Sequence, residues 1–285
     1  MEELARIQTR LGSLEELDGL VGALRSMAAA RAREAQEAFP GTRAYAAIVA
    51  RAIAEVMPMA GGPILAGGAG GRVLLVVTSE NGFVGGFNSR LIEHAAGLLQ
   101  AGEALVLVGR RGQVAAAERN LSPDLCLAMT SRMTGVSALA RRIATRLSET
   151  RGVRLVFAGY RPGAAFEIES RQVLPLEEGA GQAAGAAAPP LLHLPPEALL
   201  AELSGEYLFA ALADALMESL ASENGARLRT MDAASRNIGE KLERLRRDER
   251  VARQDKTTSD MLDVVTGAEA IGQKPPGRAV GPEPR

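Results

Sequence analysis

The stretch best equipped for chemistry is Ser79-Glu-Asn-Gly-Phe-Val-Gly-Gly-Phe-Asn88. It joins an apolar, branched run to an amphipathic segment, the strand-to-helix position where backbone N–H groups cradle phosphates. Neither G-x-G-x-x-G nor G-x-x-x-x-G-K-[ST] occurs there, no Lys follows the glycines, and no acid is placed to hold a ribose. The competing reading is a structural loop built on Gly82, Gly85, Gly86 and Asn88. Gly85 and Gly86 would allow close packing, and Asn88 would cap the next helix. His94 and His193 lack partners suited to a metal or nucleophile site, so both read as surface or loop residues. Cys126, within Leu125-Cys126-Leu127, reads as a buried hydrophobe. As the only cysteine it rules out an internal disulfide and a Cys-based zinc site, and it fits a reducing compartment. The carboxylates scattered along the helices read as solvated faces. No catalytic residue, metal or cofactor is expected.

The elements that would position this loop are unequal in length. Arg72–Thr78 is a continuous apolar run, as in a strand buried on both faces. Ser89–Gln100 is amphipathic, Ala104–Val108 reads as a strand, and 113–119 as a short helix. Val136–Glu149 is a helix with Leu139, Ile143 and Leu147 on one face; Val153–Ala158 and Phe166–Leu174 complete the strands. Alternating strands and helices predict a small, largely parallel sheet covered on both faces. On either side lie much longer helices. From Glu197 to Ile271 there is no proline, and Leu228, Met231, Ser235, Ile238, Leu242, Leu245, Glu249 and Ala252 recur at steps of three and four. Leu4, Ile7, Leu11, Leu14, Leu17, Val21 and Leu24 form a matching seam at the other end. The expected fold is α/β: an antiparallel coiled coil of long N- and C-terminal helices with an inserted small Rossmann-like domain. Its divisions are a helix over 1–60, a Gly-rich linker over 61–71, an α/β head over 72–176, a flexible loop over 177–194, a second helix over 195–271, and a disordered Pro/Gly-rich tail over 272–285.

With 33 basic and 34 acidic residues among 285, neither a nucleic-acid binder nor a polybasic membrane protein is indicated. No apolar run approaches the ~20 residues that span a bilayer. The amphipathic N-terminus, with acids at positions 2 and 3, fits neither a signal peptide nor an Arg-rich transit peptide. A soluble chain is expected.

Three ordered motifs carry a resemblance. They are Ala23-Leu-Arg-Ser-Met-Ala-Ala-Ala-Arg-Ala-Arg-Glu-Ala-Gln36, then Thr78-Ser-x-x-Gly-x-x-Gly-Gly-Phe-Asn88, then a C-terminal set. That set comprises Ala221-Ser-Glu223, Arg227, Met231, Ala233-Ala234, Asn237, Arg253-Gln254, Thr258 and Val264-Val-Thr-Gly-Ala-Glu-Ala-Ile271. The chain resembles the gamma subunit of F-type ATP synthase, the central rotor stalk, as a divergent bacterial-type branch. The resemblance implies coupling of ion flow to rotary ATP synthesis or hydrolysis, without catalysis by this chain alone. It implies as partners the hexamer of catalytic and non-catalytic subunits, an epsilon-type small stalk subunit, and the membrane ring of ion-carrying subunits. Nucleic acid is not among them, and the membrane is met only indirectly, from the cytoplasmic face. Arg253, Gln254, Thr258 and Leu24 are implied to contact loops of the catalytic subunits. Spacing alone would instead place Arg253 on a solvated basic face with Arg246, Arg247 and Arg250. Asp18, Gly19, Gly22, Asn224 and Gly225 are expected where helix surfaces must slide past the stator.

The departures from the family are Glu80-Asn81-Gly82 for D-R-G, Phe83-Val84 for L-C, Glu15-Glu16-Leu17-Asp18-Gly19 for a basic and polar run, and Asp255-Lys256-Thr257 at apolar positions. Two other readings stay open. One is a small nucleotide-binding α/β enzyme with helical extensions, resting on the 79–88 loop. The other is a passive coiled-coil scaffold.

Overall fold

The protein is described by a computed structural model over residues 2–60, 70–176 and 191–272. The expected linker, flexible loop and tail therefore lie largely or wholly outside the described residues. Two helices are very long: α1 (Glu2–Val56) and α5 (Pro196–Gly272). Both contribute to each of two units, one formed by 1–22 with 234–285 and the other by 23–233.

In the first unit the helices run antiparallel. Gln8 Nε2 donates to Glu249 Oε1 (3.2 Å), Arg246 Nη2 to Glu15 Oε1 (2.8 Å), and Ser235 Oγ to Asp18 Oδ1 (3.2 Å). Leu11, Val21, Ile238 and Leu242 are buried, and Leu4, Ile7, Leu14, Leu245, Glu249 and Ala252 half-buried, as a heptad seam requires. One seam position differs from the sequence reading. Leu17 is exposed, and Asp18 takes the inward place because the 3-4 alternation from Leu14 to Val21 passes through 18. Its carboxylate is tolerated there because Ser235 donates to it. Asp18 is thus a paired seam residue and offers no sliding surface. Beyond Lys256, every described side chain of α5 is exposed, including Met261, Leu262, Val264 and Val265.

The second unit holds a five-stranded sheet in the order β3-β2-β1-β4-β5. Its strands are β1 (Arg72–Val77), β2 (Glu103–Val108), β3 (Leu125–Leu127), β4 (Gly152–Arg161) and β5 (Ala165–Leu174). The first four are parallel, and β5 returns antiparallel beside β4. Helices α2 (Phe87–Leu98) and α3 (Arg111–Ala117) cover one face through Leu91, Ile92, Ala115 and Ala116. The other face packs on α4 (Val136–Leu147) and on α5 from Leu208 to Ala221. The short edge strand β3 holds Cys126, half-buried rather than buried, and burial with the nearby Glu80 charge pushes its thiol pKa up. His94 and His193 are exposed.

Pro40 sits inside α1, which continues to Val56 and a 3-10 turn, Met57–Ala60. A proline costs a helix interior about 3 kcal/mol. Packing on both sides of it outweighs that cost. Ala35 and Phe39 join the core beneath the sheet, and Val49, Ile53 and Val56 pack on Leu200.

Candidate functional site

In a doubly wound sheet, ligands bind beyond the carboxyl ends of the strands where helices switch faces. Here α2 and α3 lie on one face and α4 on the other, so the switch falls between β1 and β4. The 79–88 loop opens at that point, and α5 fills it. β4 outruns β1, whose pairing with it ends at Val76↔Val156, leaving backbone groups of β4 without a neighbour. The Ala158 N–H donates to Ser219 Oγ (3.2 Å), Ser222 Oγ donates to the Ala158 carbonyl (2.9 Å), and the Tyr160 N–H donates to Glu218 Oε2 (3.1 Å). Side chains of α5 thus stand in for a missing strand.

The loop itself is clamped by Arg227. Its Nε donates to the Gly82 carbonyl (3.1 Å) and Nη2 to the Asn81 carbonyl (3.2 Å). Nη2 also reaches Glu223 Oε1 (2.6 Å), and Nη1 reaches Asn224 Oδ1 (3.1 Å). Glu223, only 3% exposed, also accepts from the backbone N–H groups of Glu80 and Asn81. Burial raises its carboxyl pKa above the ordinary range, and the Arg227 charge and hydrogen bond oppose that rise without reversing it. Glu80 is a second anchor, accepting from the Met129 N–H (2.9 Å) and pairing with Arg110. The Ser79, Glu80 and Asn81 amides at the start of the loop are spent on protein acceptors.

Gly85 adopts φ +56°, which favours glycine, whereas an added Cβ on Gly86 would meet open space. Close packing is therefore required of neither; Gly85 is needed for its backbone. Asn88 is not a cap. The helix starts at Phe87 with Gly86 at its N-cap and no capping side chain. Asn88 instead accepts from the Ser79 N–H (2.9 Å) and donates to Ser79 Oγ (2.8 Å), tying the loop's two ends together. Asn224 and Gly225 give no sliding surface. Asn224 is buried, and a Cβ on Gly225 would approach the Ala164 carbonyl to 3.0 Å, against the β4–β5 turn.

Sequence reasoning missed the polar stripe on α5. Asp214, Glu218, Ser219, Ser222, Glu223 and Arg227 are all buried, so the reading of helix carboxylates as solvated fails for three acids. Asp214 pairs with Arg171 (3.0 Å) and Glu218 with Arg43 of α1 (2.7 Å). The available signal was the recurrence of polar residues at steps of four, Asp214–Glu218–Ser222 and Ser219–Glu223–Arg227, within an otherwise Ala/Leu-rich run. Of the contact residues implied by resemblance, Arg253, Gln254 and Thr258 are exposed in the first unit. Arg253 donates to Glu249 (2.7 Å), and the Thr258 hydroxyl donates to the Gln254 carbonyl (3.0 Å). Leu24 belongs to the second unit, half-buried on α1.

A family model described as ATP synthase matches residues 3–271. The ATP synthase gamma chain of Anaeromyxobacter dehalogenans (strain 2CP-C) is 30% identical, over 95% of this chain and 100% of its own length. That of Paracoccus denitrificans (strain Pd 1222) is 31% identical with the same coverage. The chain belongs to the ATP synthase gamma family. Its fold is that of a chain in the cryo-EM structure of the Euglena gracilis mitochondrial ATP synthase (OSCP/F1/c-ring, rotational state 3), with TM-score 0.70 and 12% identity. The match covers 98% of this chain and 99% of that one. In this gamma-family chain the glycine motif is a docking loop for α5.

Proposed function

We infer that this chain is the central rotor stalk of an F-type ATP synthase, coupling ion flow through a membrane ring to rotary ATP synthesis or hydrolysis in a hexamer of catalytic and non-catalytic subunits. The curated relatives are named ATP synthase gamma chain. A further structural neighbour, at TM-score 0.54, belongs to a central stalk/c-ring structure from Tetrahymena thermophila. The observation that carries the reading is the bare end of α5. Met261, Leu262, Val264 and Val265 are exposed beyond the last seam position, and such an apolar end needs a cover. A surrounding ring of subunits supplies one. The two-helix seam below it suits transmission of torque, since paired heptads resist unwinding and the Asp18–Ser235 and Gln8–Glu249 bonds fix register.

In this reading the 72–176 section is the head, which meets the ring of ion-carrying subunits and an epsilon-type subunit on the cytoplasmic side of a bacterial membrane. None of the described helices is long and apolar enough to cross a membrane, in keeping with peripheral attachment. Arg253 and Gln254 offer donors to a catalytic-subunit loop once per turn, and Glu249 keeps its Gln8 partner when the exposed Arg253 swings to such a loop. Leu24 and Thr258 are further contacts. The chain carries no catalysis of its own, and the filled switch-point crevice speaks against the nucleotide-binding alternative. Reconstitution tests the reading. The pure chain should lack ATPase activity, and its addition to purified catalytic and non-catalytic subunits should produce sustained, cooperative hydrolysis. Intrinsic hydrolysis by the pure chain, or no effect on the hexamer, would refute it.

A further inference from the structure

At the amino ends of the parallel strands, opposite the α5 crevice, lies a cavity of about 340 Å³. Its walls come from three strand starts and the end of β5. Arg72 opens β1, Glu103 opens β2, Arg151 and Arg154 flank the first residues of β4, and Leu174 and Pro175 close the side. The Glu103 side chain is only 1% exposed and is bonded in bidentate fashion by Arg154, whose Nη2 also donates to the Leu98 carbonyl. Burial disfavours the Glu103 charge. The Arg154 bonds, the Gln100 N–H and the nearby Arg72 outweigh that effect and hold its carboxyl below the usual range. Glu103 is therefore ionised and fixes the Arg154 fork.

The charges do not balance. Against one carboxylate the cavity sets three guanidinium groups, a surplus of two positive charges. Among the described residues Arg72 commits Nη1 alone, to Gln100 Oε1 (3.3 Å). Arg151 and Arg72 are exposed at the mouth, and among the described residues the hydrogen bonding of Arg151 is through its backbone, to the Gly71 carbonyl (3.1 Å). Guanidinium forks match tetrahedral and planar oxyanions, and the volume lies at the lower end of the ligand-pocket range. A surplus of two charges suits a dianion better than a carboxylate. Gly152 forms the floor, where an added Cβ would approach the Leu174 carbonyl to 3.3 Å.

We propose that this cleft is a phosphoryl-binding site, with Arg72 and Arg151 as its mobile ligands and Arg154 as its fixed one. The phosphoryl group can be that of inorganic phosphate or of a phosphomonoester lipid headgroup, each able to carry two negative charges. Isothermal titration of the full chain at constant ionic strength separates them, using inorganic phosphate, glycerol 3-phosphate and acetate as probes. Saturable binding of a phosphoryl probe is expected, at least tenfold tighter than acetate. Preference for glycerol 3-phosphate would assign the headgroup, and equal or better binding of phosphate the free ion. The exposed pair Arg72→Ala/Arg151→Ala should weaken binding at least tenfold with an unchanged circular dichroism spectrum. Arg146→Ala, on the solvent face of α4, should leave it unaltered. Absence of saturable binding, acetate binding as tightly as phosphate, or equal binding by the double variant would overturn the assignment.

Discussion

Replacing Arg227 by Ala tests the clamp between α5 and the glycine loop. The guanidinium makes four hydrogen bonds, two to loop carbonyls and two to Glu223 and Asn224. Removing it leaves Glu223 buried with only backbone N–H partners. Breaking a buried pair on one side costs about 3–5 kcal/mol. At 1.4 kcal/mol per power of ten, that is roughly a 10²- to 10³-fold or greater rise in the opening equilibrium. Native-state hydrogen exchange on peptides covering 79–88 and 152–161 reads it directly, without assuming that the whole chain unfolds in one step. The pH dependence carries a sign. A carboxyl whose pKa is raised by folding favours the native state most when protonated, so its contribution falls as pH rises from the unfolded value through the folded one. Without Arg227 the raise is larger, so the variant should lose more protection at pH 8 than at pH 5.5, after correction for intrinsic rates. A rise in exchange under threefold, or equal losses at both pH values, would refute the clamp.

Other substitutions probe separate parts. Gly109→Ala places a Cβ 2.3 Å from the Thr78 carbonyl at φ +107°, and should sharply lower the yield of folded protein; normal thermal stability would contradict that geometry. Ser222→Ala leaves the Ala158 carbonyl without its donor and should cost about 1–3 kcal/mol, read as faster exchange at the end of β4. Leu242→Pro breaks α5 at a buried seam position for ~3 kcal/mol or more. It should weaken coupling of hydrolysis to ion transport in the assembled enzyme before it alters exchange in the sheet. Arg253→Ala/Gln254→Ala removes charge-assisted bonds of about 1.5–3 kcal/mol each. A several-fold loss of turnover with normal assembly is expected, and unchanged turnover would remove these residues from the contact.

The fold was legible where periodicity has a single cause. From Leu228 to Ala252 one partner helix covers one face of α5, and each seam residue read from the sequence is buried or half-buried. Upstream, from Ala210 to Arg227, α5 is buried on all sides by the sheet and its other neighbours. No amphipathic period survives there, and acids that looked solvated are buried and paired. β3 escaped notice because three residues are too few to show alternation. Leu17 was misplaced because two apolar residues, Leu14 and Leu17, suggested a step that the 3-4 alternation assigns to Asp18. The glycine loop was found from its residues, but Asn88 was given the wrong partner. Its bonds to Ser79 span a separation of nine positions, and a capping rule looks only at the adjacent helix.

Rotation is the central claim, and it can be watched. A bead attached through Arg142→Cys, at an exposed position on α4, would report on the 72–176 section in an immobilised complex with catalytic and non-catalytic subunits. With ATP the bead should turn in one direction, in steps that stop when ATP is withdrawn. A bead that stays fixed, or only fluctuates, while the same complexes hydrolyse ATP would contradict the rotor.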